Sequence, residues 1–199
     1  ALKYYTEFWC SDNTDPIERL FIQWGFSQVF PSKTLCAHVT TWNKDASIKF
    51  RTDVAMMCKL GFDIKMSDLN PNEQVYCRQA VTEYNRLKPV ILEGDLYRLV
   101  SPYGSNHTSS MYVNKDKNQA IVFAFDVYPR YGEHILPVRL QGLEANKMYQ
   151  VKEINLMPGA SSSVNGNGQT FSGEYLMNVG LDLFTGYKLN SRIIEIIAQ

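Results

Sequence analysis

The chain has 199 residues, with 20 Lys and Arg balancing 20 Asp and Glu, 45% apolar residues and a mean hydropathy of −0.25. This is a globular composition, which excludes a disordered or collagen-like chain, and no stretch approaches the roughly 20 apolar residues of a membrane helix. Basic and acidic residues number 11 and 11 before Gly94 and 9 and 9 after it, so neither half carries the basic surface expected of a nucleic-acid binder.

The sequence opens on Ala1-Leu2-Lys3, with no initiator Met and no signal-peptide pattern. Tyr5–Cys10 is rich in β-formers and ends at the polar run Ser11-Asp12-Asn13-Thr14, which predicts a strand and its turn. Asp15 as N-cap, Pro16 at the first helical position and Glu18 completing a capping box start a helix. Ile17, Leu20, Phe21 and Trp24 form its buried face. Cys36–Thr40 predicts a second strand. A helix capped by Ser47 or Asp45 follows, running through Val54, Met57 and Cys58, with Gly61 as a left-handed C-cap. Phe62–Met66 predicts a third strand, and Asn70-Pro71-Asn72-Glu73 starts a helix to about Leu87, with Pro89 just past its end.

After Gly94 the period changes. Leu96–Val100, Ser110–Val113, Gln119–Val127, His134–Leu140, Met148–Leu156 and Arg192–Ile197 read as strands, residues 158–168 as a polar loop, and no further helix is predicted. The expected fold is α/β plus all-β: parallel β-α units over residues 1–93, then an antiparallel β-sandwich over 94–199. Three β-α units do not close a barrel, and their open edges are a hazard, so the first half reads as part of a larger sheet.

Four cysteines, Cys10, Cys36, Cys58 and Cys77, lie in periodic apolar segments with no C-x-x-C pair. They read as free thiols of a reducing, cytoplasmic setting, with no zinc site. The sequon Asn106-His107-Thr108 is weak evidence of anything.

In a parallel α/β barrel, chemistry sits at the C-terminal ends of the strands. The densest such end is residues 11–15. Asp15 has a sufficient task as N-cap, with Arg19 four residues on as a possible partner. Asp12 has no such task and projects either into the mouth of a barrel or into an Asx-turn. Asp12 and Asp15 do not make a glycosidase pair, because the two carboxyls of a retaining enzyme approach from opposite sides of the sugar, about 5–5.5 Å apart. His38 reads as a core or supporting histidine. His107 and His134 lie far from any acid cluster, and no Ser-His-Asp constellation or phosphate loop is present. Trp9 and Trp42 are candidates for lining a pocket, and Trp24 for the core.

Residues 9–20 and 22–25, followed by Cys36–Thr40, resemble the α-galactosidases of glycoside hydrolase family 36. The signature S-D-x-x-D-x-x-x-R is met by Ser11, Asp12, Asp15 and Arg19, and Gly61-Phe62-Asp63-Ile64 is similar to the end of that family's barrel. The resemblance implies the last three β-α units of a (β/α)8 TIM barrel and a retaining α-galactosidase. Asp12 would be its general acid/base. Ser11, Trp9 and His38 would lie with Asp12 at the sugar, Asp15 and Arg19 would be structural, and neither cofactor nor metal is expected. The nucleophile of such enzymes stands in a K-W-D context and a C-x-x-G-x-G-R loop holds sugar hydroxyls; neither run occurs here. The expectation is therefore a C-terminal portion that binds α-galactosides, is inactive alone, and self-associates through its open barrel edge where the parent would be a homo-oligomer. A non-catalytic sugar-binding or structural piece, a galactosyl-transferring synthase, or an enzyme preferring N-acetylgalactosamine are the alternatives.

Overall fold

The computed structural model describes residues 3–199. Its first sheet forms where runs of β-formers stop at polar turns. β1 (Phe8–Trp9), β2 (Leu35–Val39) and β3 (Lys59–Phe62) are parallel, in the order β1-β2-β3, with Phe8 opposite Leu35 and His38 opposite Gly61. Each strand is followed in the chain by a helix, α1 (Pro16–Phe26), α2 (Ile48–Met56) and α3 (Pro71–Glu93).

The helices begin where side chains can satisfy the first free amides. Asp15 Oδ1 accepts from the Ile17 and Glu18 amides at 2.8 and 3.3 Å, Ser47 Oγ accepts from the Phe50 amide at 3.1 Å, and Asn70 and Glu73 form a reciprocal capping box. The box expected at Asp15 is not formed. Asn13 Oδ1 accepts from the Asp15 amide at 3.0 Å, so the donor that Glu18 would have received is already used.

Three further expectations are corrected in this half. Gly61 caps nothing: α2 ends at Met56 with Met57 as its C-cap, and Gly61 lies inside β3, which precedes the expected 62–66 strand. A Cβ at Gly61 would stand 2.4 Å from His38 Cδ2, so the glycine makes room for a neighbouring ring. Pro89 lies inside α3, which continues to Glu93. The carbonyl that proline deprives of a partner belongs to Asn85, and both residues are exposed, so water can satisfy it. Trp24 is half-buried and not part of the packed core.

The remaining strands, β4 (Asp95–Val100), β5 (His107–Val113), β6 (Gln119–Asp126), β7 (Met148–Ile154), β8 (Thr170–Ser172) and β9 (Asn190–Ala198), form one antiparallel sheet in the order β4-β5-β6-β9-β7-β8. One face sends Tyr112, Ile121, Phe123, Phe125 and Ile193 into the same core as Phe50, Tyr76 and Leu87 of the helical half. The other buries Met111, Val122, Ala124, Ile194 and Ile196 under Val138, Leu140, Leu176 and Leu181. The outer layer over this sheet is thus supplied by loops and a short helix, α4 (Gly173–Asn178). Burial on both faces explains why β5 and β6 lack polar alternation.

Residues 134–140 are not a strand. Pro137 removes one donor, and Val138 makes only an isolated bridge to Leu181. α4 was not expected because six residues, opened by Gly173 behind a Ser172 cap, carry no readable helical period. Buried polar contacts lock the halves together. The Tyr112 hydroxyl lies 2.8 Å from Ser32 Oγ and donates to the Met57 carbonyl at 2.7 Å.

Candidate active site

The C-terminal ends of β1 and β2 carry the polar residues singled out above. Beyond β1 the chain turns through local bonds, Ser11 Oγ accepting from the Asn13 amide at 3.1 Å and Asn13 Oδ1 from that of Asp15. The Thr14 and Thr40 hydroxyls, 2.7 Å apart, tie this turn to the end of β2. Asn13 and Ser11 therefore make the side-chain turns, and Asp12 is released from the Asx-turn that was its alternative. Its carboxylate is exposed and accepts from Trp9 Nε1 at 3.0 Å.

Trp9 is 37% exposed. Its ring lies 4.4 Å from that of His38, tilted by 51°, and 5.2 Å from the Arg19 guanidinium. The structure thus brings Trp9, Ser11, Asp12, Arg19 and His38 together. Asp15 turns away to cap α1, and Trp42 stands 53% exposed in the loop after β2.

Arg19 does not pair with Asp15. It is 2% exposed, and its two Nη atoms donate to the carbonyls of Ser11 at 3.3 Å and Cys36 at 2.7 Å. Burial without a carboxylate partner lowers its pKa from the ordinary guanidinium value. Arg51 likewise donates to the Thr40 carbonyl at 2.7 Å. The strand ends thus rest on two arginines hydrogen-bonded to backbone carbonyls.

Below these residues is a cavity of only about 10 Å³, lined by Thr14, Arg19, Gln23, His38, Thr40 and Arg51 among others. It can admit a water molecule but no sugar ring. A saccharide would have to meet Asp12 on its open side, where the described residues form one wall. All four cysteines are free. Burial raises the pKa of each thiol, that of Cys58 up to about 12.

A second cluster was missed from the sequence. His107, read as remote from any acid, has Nδ1 2.7 Å from Asp126 Oδ1 and Nε2 3.8 Å from Glu133 Oε2. Asp126 also accepts from the Thr185 amide and hydroxyl at 2.9 and 2.8 Å. Antiparallel pairing of β5 with β6 sets His107 opposite Asp126, so the signal is register, which spacing along the chain does not disclose. In the sequon, Asn106 Nδ2 is committed to Glu133 and Thr108 is 4% exposed.

Both halves of the chain resemble known proteins. The family model described as Melibiase matches residues 1–94, and that described as the glycosyl hydrolase family 36 C-terminal domain matches residues 107–196. Among curated relatives, alpha-galactosidase 2 of Hypocrea jecorina is 31% identical over all of this chain and 26% of its own length. The probable alpha-galactosidase C of Aspergillus flavus is 33% identical over all of this chain and 25% of its own. Of solved structures, the GH36 alpha-galactosidase AgaB of Geobacillus stearothermophilus superposes with a TM-score of 0.87 at 29% identity, covering 100% of this chain and 26% of that one. The galactosidase domain of the alpha-galactosidase-sucrose kinase AgaSK gives 0.86 at 26% identity, over 100% and 27%. The chain therefore spans about a quarter of the length of the relatives it matches.

Proposed function

The chain belongs to glycoside hydrolase family 36, and on that premise we propose that it carries the general acid/base of a retaining α-galactosidase at Asp12. One observation supports the reading above others: of the two aspartates in the turn after β1, Asp12 is the one not engaged in capping α1. It stands exposed beside Trp9 while its neighbour Asp15 is consumed in capping α1. A general acid must face its substrate and be able to change protonation state without unfolding the site. Asp12 is exposed, and its side-chain partner, Trp9 Nε1, is a neutral donor.

In double displacement the acid/base first protonates the glycosidic oxygen and then activates water, while a second carboxylate attacks the anomeric carbon. Asp15 is not that second group, and the sequence holds no K-W-D run to supply it. We therefore assign Asp12 the proton transfers and Ser11, Trp9 and His38 one wall of the sugar site. Asp15 and Arg19 are structural, and the boundary between the catalytic-domain portion and the antiparallel domain falls at Gly94. The substrates are terminal α-linked galactosides, which are uncharged, in keeping with a chain of zero net charge. Four free thiols support a reducing, cytoplasmic setting. Among the described residues no helix is long and apolar enough to cross a membrane.

The test uses the 199-residue chain with nitrophenyl α-galactoside and with raffinose. The expected result is no turnover, together with saturable raffinose-induced NMR shifts at Trp9, Ser11 and His38. Turnover abolished by Asp12→Ala would overturn the assignment of the nucleophile to a carboxylate other than those present. Raffinose shifts that avoid the 9–12 loop would overturn the site.

A further inference from the structure

We propose that Trp9 and Arg19 are positioning residues for Asp12, and that together they determine which of its two oxygens carries the acid proton. The inference rests on the reading of Asp12 as acid/base, and it gives the signature arginine a task other than pairing with Asp15. The geometry forms a chain of contacts. Arg19 spends its Nη donors on the Ser11 and Cys36 carbonyls, fixing the base of the loop to β2. Its guanidinium lies 5.2 Å from the centroid of the Trp9 ring, within the range at which a cation is attracted to an indole face. The same ring packs at 4.4 Å on His38, whose place is available only because residue 61 has no Cβ. Two fixed neighbours thus set the plane of an indole that is otherwise partly exposed.

An indole so held has one polar atom, and Nε1–H can only donate. It points at Asp12 Oδ1, 3.0 Å away, and is the one side chain hydrogen-bonded to Asp12 among the described residues. The consequence for a group that must gain and lose a proton is specific. When the carboxyl is protonated its carbonyl oxygen is the stronger acceptor, so an N–H aimed at Oδ1 favours the proton on Oδ2. When the carboxylate is ionised, the same bond persists. Trp9 therefore holds Asp12 in one orientation through both protonation states and leaves Oδ2 to meet the glycosidic oxygen and then water. A neutral donor suits this task better than a lysine or histidine would, because it neither titrates with the acid nor competes for its proton. The Arg19 charge over the ring draws electron density from the indole and strengthens the N–H as a donor.

The experiment reads the coupling by NMR in the 199-residue chain, without substrate. The Trp9 indole ¹H–¹⁵N resonance is expected to move through one carboxyl titration step on acidification. That step is expected to vanish in Asp12→Asn, while the resonance itself stays in a folded spectrum. Nuclear Overhauser contacts between Arg19 guanidinium protons and the Trp9 ring are expected in the unmodified chain, so this arm needs no buried substitution. A folded Arg19→Lys chain should show a smaller indole step. A step retained in full by Asp12→Asn, an absent Arg19–Trp9 contact, or an undiminished step in Arg19→Lys would each overturn the proposal. These readouts do not depend on catalysis. An intact coupling beside an Asp12 that proves dispensable for galactoside binding and turnover would overturn the acid/base reading and not the geometry.

Discussion

Replacing Asp53 tests how far the two halves depend on one buried carboxylate. Asp53 lies on α2 with no solvent exposure. Its Oδ1 accepts from the Tyr76 hydroxyl at 3.1 Å and Asn155 Nδ2 at 2.6 Å, and its Oδ2 from Ser191 Oγ at 2.7 Å and from Lys49 Nζ. Lys49 and Tyr76 belong to the helical half, Asn155 and Ser191 to the antiparallel one. Burial, then the Asp53 charge, pushes the Tyr76 hydroxyl well above its ordinary pKa, so it remains a donor. Asp53→Ala strands one ammonium and three neutral donors. Hydrogen bonds to a charged group contribute about 1.5–3 kcal/mol each, but they share one acceptor and do not add. Breaking a buried pair by removing one partner costs about 3–5 kcal/mol, and that range is expected for Asp53→Ala. It is a large part of the about 5–15 kcal/mol that stabilises a typical domain. Asp53→Asn keeps one acceptor oxygen and should lose roughly half as much. Urea unfolding followed by fluorescence and circular dichroism measures both. Because the apolar core is also shared, the transition should shift without splitting. A loss below about 1 kcal/mol for Asp53→Ala would refute the reasoning, which rests on the cost of unsatisfied buried donors.

Other substitutions and conditions probe separate parts of the fold. Gly61→Ala places a Cβ 2.4 Å from His38 Cδ2 and should cost about 1–3 kcal/mol as overpacking. Most of that loss should return in the double variant with His38→Ala, and additive losses in the cycle would show that the ring is not the obstacle. Cys58, with its thiol pushed up to about 12, should resist iodoacetamide in the folded chain at pH 8, as read by mass spectrometry. The same thiol loses its proton near pH 8.5 when unfolded. Between about pH 9 and 12 the unfolded chain therefore binds fewer protons than the folded one, and stability should fall as pH rises, by up to about 1.4 kcal/mol per unit. Cys58→Ala should flatten that alkaline decline, and an unchanged slope would assign it to other groups. Finally, β1 and β3 each have one unpaired edge among the described residues. Concentration-dependent association in sedimentation velocity is the expected outcome, and a sharp monomer throughout would contradict it.

The helix starts were legible because they depend on local chemistry. Asp15-Pro16, Ser47 and Asn70-Pro71-Asn72-Glu73 each satisfy amides two or three residues away, and that requirement is visible in a short window. Helix and strand ends were less so. Gly61 looked like a cap because a glycine after a helical run usually is one. Its reason lies 23 positions back, in the ring of His38, which only the β2–β3 register brings opposite it. Pro89 looked like a terminator because the window does not show that Asn85 faces water. Residues 134–140 had the apolar content of a strand, but their backbone bonds, Val138 with Leu181 and Leu140 to Leu176, build no ladder.

At the site the same distinction decides what could be read. Position alone left Asp12 between the mouth of a barrel and an Asx-turn, and its role came from the resemblance of the signature; the bonds of Ser11 and Asn13 that release it from that turn are visible only in the structure. Arg19 was misread because the i, i+4 rule offered Asp15 as a partner, whereas an Asp15 engaged in capping has its carboxylate directed at the Ile17 and Glu18 amides. The cap draws Asp15 Oδ1 onto the first amides of α1, and Arg19 makes no contact with that carboxylate. Arg19 must then bury its charge elsewhere, and the strand-end carbonyls of Ser11 and Cys36 are the acceptors within reach. That displacement is what puts a cation against Trp9 and leaves Trp9 free to hold Asp12.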